Sequence, residues 1–129
     1  MKKASDEIAE LTGWAQKSGD EETGYEIKLV EAEVKRQSGS PELAKPLVDD
    51  AVRYFSNLGK KESLWLSLSE QARVENSLGK IKECQESAKL ALDILKEFAE
   101  TWPPADYRSY TSRPDNEAAR QELMRYGRN

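Results

Sequence analysis

Few residues of this 129-residue chain have side chains suited to catalysis or metal binding. There is no histidine, which excludes histidine acid–base chemistry and histidine metal ligands, and the one cysteine is Cys84. The Gly-Lys pairs at positions 59–60 and 79–80 lack the upstream glycine and the following serine or threonine of a phosphate-binding loop. The many carboxylates fall on polar helix faces, where solvation is the simplest interpretation. We therefore predict that the protein is not an enzyme and has no cofactor and no metal site.

The charge balance and the composition point away from nucleic acids and membranes. The 20 basic residues nearly balance the 24 acidic ones, so that the net charge is -4. No run of about 18 apolar residues is present, and the first residues lack the apolar core of a signal peptide. A lone cysteine fits a reducing compartment. We expect a cytoplasmic protein of one domain whose partner is neither a nucleic acid nor a membrane.

Four of the seven glycines stand at intervals of 20 residues, at positions 19, 39, 59 and 79. Glycine adopts the left-handed conformation that ends a helix at little cost. The spacing therefore predicts a series of helices of roughly 17–18 residues, each stopped by a glycine. Tight turns between such helices make neighbours antiparallel.

The apolar residues between these glycines recur at helical spacing. Over residues 21–37 the pattern is mixed, because Tyr25, Ile27 and Leu29 alternate as in a strand, whereas Val30 and Val34 follow Ile27 at helical steps. We predict a helix there, as in the neighbouring segments. Over residues 80–102 the pattern is one continuous stripe, formed by Ile81, Cys84, Ala88, Ala91, Leu95, Phe98 and Trp102. On this stripe Cys84 is expected to be a small buried hydrophobe, and the three tryptophans are expected to pack between helices.

The offset of small residues from the glycines indicates which helices form pairs. Twelve residues after Gly39 and Gly79 stand Ala51 and Ala91, whereas the other two glycines lack an alanine at this offset. A small residue midway along a second helix lets it approach the first helix closely. The repeating unit is therefore a helix pair of 40 residues with Gly39 or Gly79 inside it.

This spacing resembles the tetratricopeptide repeat. That family has a glycine closing the first helix, an alanine twelve residues on, a bulky residue four further and a proline near the end. The residues that match are Gly79, Ala91, Leu95 and Pro103 in one unit, and Gly39, Ala51 and Phe55 in the other. The resemblance covers about residues 21–103, and it departs from the family in its period of 40 rather than 34 residues. Such long repeats look like those of large bacterial signalling and regulatory proteins.

The predicted architecture is a single all-α domain of antiparallel helix hairpins, an α-solenoid with about five long helices and a short C-terminal capping helix. The hairpins span residues 21–58 and 61–102. Residues 1–18 form an unpaired helix, and residues 103–129 form a connector and a capping helix from about Pro114 to Tyr126, ended by Gly127. The unpaired first helix suggests the C-terminal fragment of a larger protein, with an uncapped N-terminal end through which the chain could form homo-oligomers.

The resemblance also implies where a partner binds. In the tetratricopeptide fold the first helices of the pairs line a concave groove, and polar residues near their ends face it. Carried onto this chain, those positions are Glu33, Arg36 and Gln37 in one pair, and Arg73, Asn76, Ser77 and Lys80 in the next. Arg73, Asn76 and Lys80 share a helix face and could hold a carboxylate or a backbone. A solvated helix face without a ligand is the alternative.

Two functions fit these observations. The first is a non-catalytic protein–protein interaction module, or scaffold, that binds a peptide or protein in the groove. The alternative is an intramolecular sensor or regulatory domain of a bacterial signalling or transcription-regulatory protein, whose partner is another domain of its own parent chain.

Overall fold

The structure is a computed structural model that describes residues 21–128. Every regular element in this range is a helix, which confirms the all-α prediction. The predicted helix over residues 1–18, with Trp14 and Gly19, lies outside the described residues. The helices are α1 (Glu21–Gln37), α2 (Pro41–Leu58), α3 (Lys61–Ser77), α4 (Ile81–Thr101), α5 (Pro104–Thr111) and α6 (Pro114–Arg128). Over residues 21–128, none of these helices is long and apolar enough to cross a membrane.

The evenly spaced glycines end the helices as predicted. Gly39, Gly59 and Gly79 have φ angles of +87°, +69° and +75°, the left-handed conformation that disfavours other residues. At each glycine the next backbone N–H reaches back to the preceding helix; that of Lys80, for example, donates to the carbonyl of Glu75 at 2.8 Å. These bonds satisfy carbonyl groups that a helix end would leave unpaired.

The second half of the chain differs from the prediction in two places. The connector after Trp102 contains a helix of eight residues, α5, which begins at Pro104 because proline is tolerated in a first helical turn. The last helix continues past Gly127 to Arg128 instead of ending at the glycine. Residues 21–37, whose pattern was mixed, form a helix as predicted.

The two alanines that define the helix pairs are fully buried. Ala51 in α2 and Ala91 in α4 have no exposed surface, and the bulky residues four positions later, Phe55 and Leu95, are buried as well. Each alanine lies midway along the second helix of a hairpin, and that helix packs against the first helix of the hairpin. The positions that define the 40-residue period thus form part of the core.

Contacts between alternate helices show that the array curves. α1 contacts α3, and α3 contacts α6, whereas within residues 21–128 α2 and α4 do not contact each other. The helices α1, α3 and α6 therefore form an inner, concave layer, and α2 and α4 form an outer layer. Because consecutive hairpin helices are antiparallel, α1 and α3 run in the same direction. α6 runs in this direction too, since Tyr110 connects its start to Trp65 near the start of α3 and Glu122 contacts Arg73 near the end of α3.

An aromatic cluster fastens the short helix α5 to the second hairpin. The indole Nε1 of Trp65, which is fully buried, donates to the hydroxyl of Tyr110 at 2.8 Å. Trp102 stacks on Phe98 with 4.4 Å between ring centroids, and Tyr110 stands edge-on to both rings. Trp65 and Trp102 thus pack between helices as predicted, and they fix the start of α6 beside α3.

The buried alanine of the second hairpin provides a test of the helix pairing. Ala91→Leu should lower the free energy of unfolding by about 1–3 kcal/mol, because a larger side chain overpacks the contact between α3 and α4. Ala99→Leu, at an exposed position of the same helix, is the matched control and should change it by at most about 0.5 kcal/mol. Urea denaturation followed by circular dichroism measures both. Equal stability of Ala91→Leu and the parent chain would contradict this packing.

Candidate functional site

The three inner helices enclose a concave cavity of about 480 Å³. This volume lies within the range of about 300–1,000 Å³ that ligand-binding pockets occupy. We call the cavity the inner groove. Its lining comes from one stretch of each inner helix: Leu29, Val30 and Glu33 of α1; Leu66, Ser69, Glu70 and Arg73 of α3; Asp115, Asn116, Ala118 and Ala119 of α6.

The inner groove exposes large apolar side chains. Val30 is 50% exposed and Leu66 is 40% exposed, and they lie on neighbouring helices, α1 and α3. Ala118 of α6 is also exposed and extends this surface. A concave apolar surface shared by three rigid elements is typical of a site that another molecule covers.

A buried carboxylate lies at the centre of the groove wall. The side chain of Glu70 is only 4% exposed. Arg36 of α1 donates to both of its oxygens, from Nε to Oε2 at 2.5 Å and from Nη2 to Oε1 at 3.2 Å. Burial raises the pKa of Glu70, and the two arginines Arg36 and Arg73 offset part of this rise. The bidentate geometry fixes α1 against α3.

A second arginine extends the network to the last helix. Arg73 donates from Nη1 to Glu70 Oε1 at 3.5 Å, and its Nε donates to the carboxylate of Glu122 in α6. Burial by itself lowers the pKa of Arg73, but Glu122 and Glu70 outweigh this effect and the pKa is raised. The chain Arg36–Glu70–Arg73–Glu122 thus connects all three inner helices.

The sequence-predicted site residues fall into two groups. Glu33, Arg36 and Arg73 lie at the inner groove or in the ion-pair network behind it, and Gln37 donates to Glu33 at 3.4 Å. The other three, Asn76, Ser77 and Lys80, are exposed at the far end of α3 and do not line the groove. Lys80 lies 3.8 Å from Glu83 at the start of α4.

Sequence reasoning did not identify several residues that build the groove. Leu66 and Glu70 precede Arg73 by seven and three residues, so the helical period already placed them on the same face. The groove residues of α6 were harder to identify from the sequence, because that helix was predicted only to cover the end of the array. The interpretation of every carboxylate as solvated is wrong for Glu70 and for Glu75, which are both buried.

Glu75 belongs to a separate polar network between α2, α3 and α4. Lys45 lies 2.8 Å from Glu75 and 2.9 Å from Asp49, and Ser87 donates to Glu75 at 2.6 Å. Burial by itself lowers the pKa of Lys45, but hydrogen bonds and charge attraction from Glu75 and Asp49 outweigh it and raise the pKa. Gln71 donates to Asp49 at 2.8 Å and so closes the network. These contacts join the two hairpins on the side away from the inner groove.

Two further concave surfaces lie outside the inner groove. One, of about 290 Å³, opens between α2 and α4, with Leu64 and Leu68 of α3 in its wall. The other, of about 620 Å³, lies between α4 and the end of α6 and is lined largely by polar and charged residues. Within residues 21–128, no three His, Cys, Asp or Glu side chains are placed so that they could hold a metal ion.

Comparison of this chain with protein-family models, with curated proteins and with solved structures finds no match.

The single cysteine provides a test of the core. Cys84 is 2% exposed, and burial with nearby Glu75 and Glu122 raises its pKa to about 11, well above the roughly 8.5 of an unperturbed thiol. At pH 8 the folded protein should therefore react with a disulfide reagent at least about 100-fold more slowly than the chain unfolded in guanidinium chloride. Native and unfolded rates within tenfold of each other would contradict the buried position of Cys84.

Proposed function

We propose that this chain is a non-catalytic protein-interaction module that binds a segment of a partner protein in the inner groove. The observation that carries this proposal is the pair of exposed apolar side chains, Val30 and Leu66, inside a concave surface. Covering them removes apolar area from water, which contributes about 25 cal/mol for each Å². The partner is another protein or another domain of the same parent chain.

The rigidity of the groove favours binding. Arg36, Glu70, Arg73 and Glu122 hold the three inner helices relative to one another before any partner arrives. A preorganised surface loses little conformational entropy when it binds, so more of the contact energy becomes affinity. The charged groups behind the groove are already paired with one another in these ion pairs. This pairing favours a binding role over acid–base chemistry.

We assign the repeat to a long tetratricopeptide-like class. Three features support the assignment: the 40-residue period, the buried alanines Ala51 and Ala91, and the position of the first helix of each hairpin on the concave side. In this arrangement α6 takes the place of the first helix of a third pair. Homo-oligomerisation through the N-terminal end concerns residues outside the described range and stays a prediction.

Selection from a random peptide library tests the proposed function. Peptides selected on the parent chain should bind Val30→Ser/Leu66→Ser at least about tenfold more weakly, because the double variant removes the apolar surface of the groove. Both residues are exposed, so the free energy of unfolding should change little. Fluorescence anisotropy with labelled peptides measures the affinities. Arg73 is unsuitable as a target, since replacing it would leave Glu122 without its arginine and the buried Glu70 with Arg36 alone.

The chain offers a matched control for this variant. Leu43→Ser/Leu58→Ser removes two leucines of α2 that are 53% and 52% exposed and lie outside the inner groove. This variant should keep the affinity of the parent chain. An equal loss of peptide affinity in both double variants would contradict binding in the inner groove, and so would an unchanged affinity in Val30→Ser/Leu66→Ser.

A further inference from the structure

The edges of the inner groove carry two carboxylates that form no ion pair with the other residues of the described range 21–128. Two exposed carboxylates line it, Glu33 on α1 at one edge and Asp115 on α6 at the other. Arg73 lines the groove and Arg36 lies behind it, and both donate to carboxylates of the network. The groups at and behind the groove are four carboxylates and two guanidinium groups: Glu33, Glu70, Asp115 and Glu122 against Arg36 and Arg73.

Three further cations on or next to the inner helices do not line the groove. Arg113 stands over the ring of Tyr110 at 5.6 Å and is absent from the groove lining. Arg120 of α6 points to Met124, with 3.7 Å between Nη1 and the sulfur. Lys28 of α1 lies 3.5 Å from Asp50 of α2, on the side of the outer layer. The exposed carboxylates at the two edges are therefore available to a positively charged ligand.

The apolar floor lies between the two acidic edges. Leu29 and Val30 of α1, Leu66 of α3 and Ala118 of α6 provide it. Neighbouring helices pack with axes about 8–10 Å apart, so α1 and α6, on either side of α3, are at most about 16–20 Å apart. An extended chain covers this distance in about five or six residues.

We propose that the inner groove is specific for a protein segment in which a bulky apolar side chain lies between two basic residues. The apolar side chain packs on Val30 and Leu66, and the lysine or arginine on each side meets Glu33 or Asp115. The inference rests on the proposed function and adds the chemistry of the partner. Its basis is charge complementarity: Arg36 and Arg73 are bound by carboxylates of the network, whereas Glu33 and Asp115 are exposed at the two edges.

Three defined peptides test the specificity. Each has nine residues, blocked ends and a central phenylalanine, with lysine, serine or glutamate at positions 2 and 8 and serine or alanine elsewhere. Fluorescence anisotropy at low salt should show the lysine peptide binding at least about tenfold more tightly than the glutamate peptide, with the serine peptide between them. The difference should shrink at 0.5 M salt, since screening weakens exposed ion pairs.

Two charge variants locate the effect. Glu33→Gln/Asp115→Asn should lose most of the preference for the lysine peptide over the glutamate peptide. The control Glu86→Gln/Glu100→Gln changes the net charge equally at exposed positions of α4 and should keep the preference. Circular dichroism melting curves establish that both variants fold.

The outcomes separate this inference from the proposed function. The charge specificity would be overturned if the parent chain bound the lysine and glutamate peptides equally and the variant Val30→Ser/Leu66→Ser bound neither. That result would leave the proposed binding in the groove intact. An equal loss of preference in the α4 control would also overturn it, because the effect would then come from net charge alone. Failure of all three peptides to bind would overturn the inference, while the library selection still decides whether the groove binds peptides.

Discussion

The carboxylate of Glu70 lies where three helices meet, and the inner layer depends on how its charge is balanced. An ionised carboxylate that is removed from water loses several kcal/mol of solvation, so it is tolerated only with close partners. Arg36 supplies a bidentate contact from α1, and Arg73 links the same carboxylate to Glu122 of α6. Displacement of α1 would separate Arg36 from Glu70, and displacement of α6 would separate Glu122 from Arg73. The network therefore restricts the relative positions of the helices more sharply than apolar packing alone, which tolerates small shifts.

This restriction explains why the inner groove stays open although α1 and α6 each make only a small contact with α3. α3 is covered by α1, α2, α4 and α6, and it carries Glu70 and Glu75, the two buried carboxylates found within residues 21–128. On the outer side, apolar stripes and the Lys45–Glu75 network pack the hairpins together. On the inner side, ion pairs hold α1 and α6 at the distance from α3 that their side chains require. The apolar residues Val30 and Leu66 are then left exposed between fixed walls, which suits them to contact with a partner.

The features that depend on local sequence could be predicted, and those that depend on distant segments could not. The helix ends at the glycines follow from backbone conformation, and the burial of Ala51 and Ala91 follows from side-chain size. Both properties can be inferred from the sequence of one or two helices. The burial of Glu70 depends on Arg36, 34 residues before it, and the position of Arg73 depends on Glu122, 49 residues after it. The periodic pattern of α3 alone places these residues on a polar face. Helix α5 was missed because flanking prolines indicate a break, although Tyr107 and Tyr110, one turn apart, already indicated a helical contact.

A double-mutant cycle on Arg36 and Glu70 tests the central claim most directly. The substitutions Arg36→Met and Glu70→Gln, alone and together, give the coupling free energy from urea denaturation. We expect a coupling of about 1–3 kcal/mol, because the pair is buried and bidentate. The exposed pair Lys61 and Glu97, treated in the same way with Met and Gln, should give at most about 0.5 kcal/mol. A coupling for Arg36 and Glu70 no larger than that of the exposed pair would contradict the role of this network in forming the inner groove.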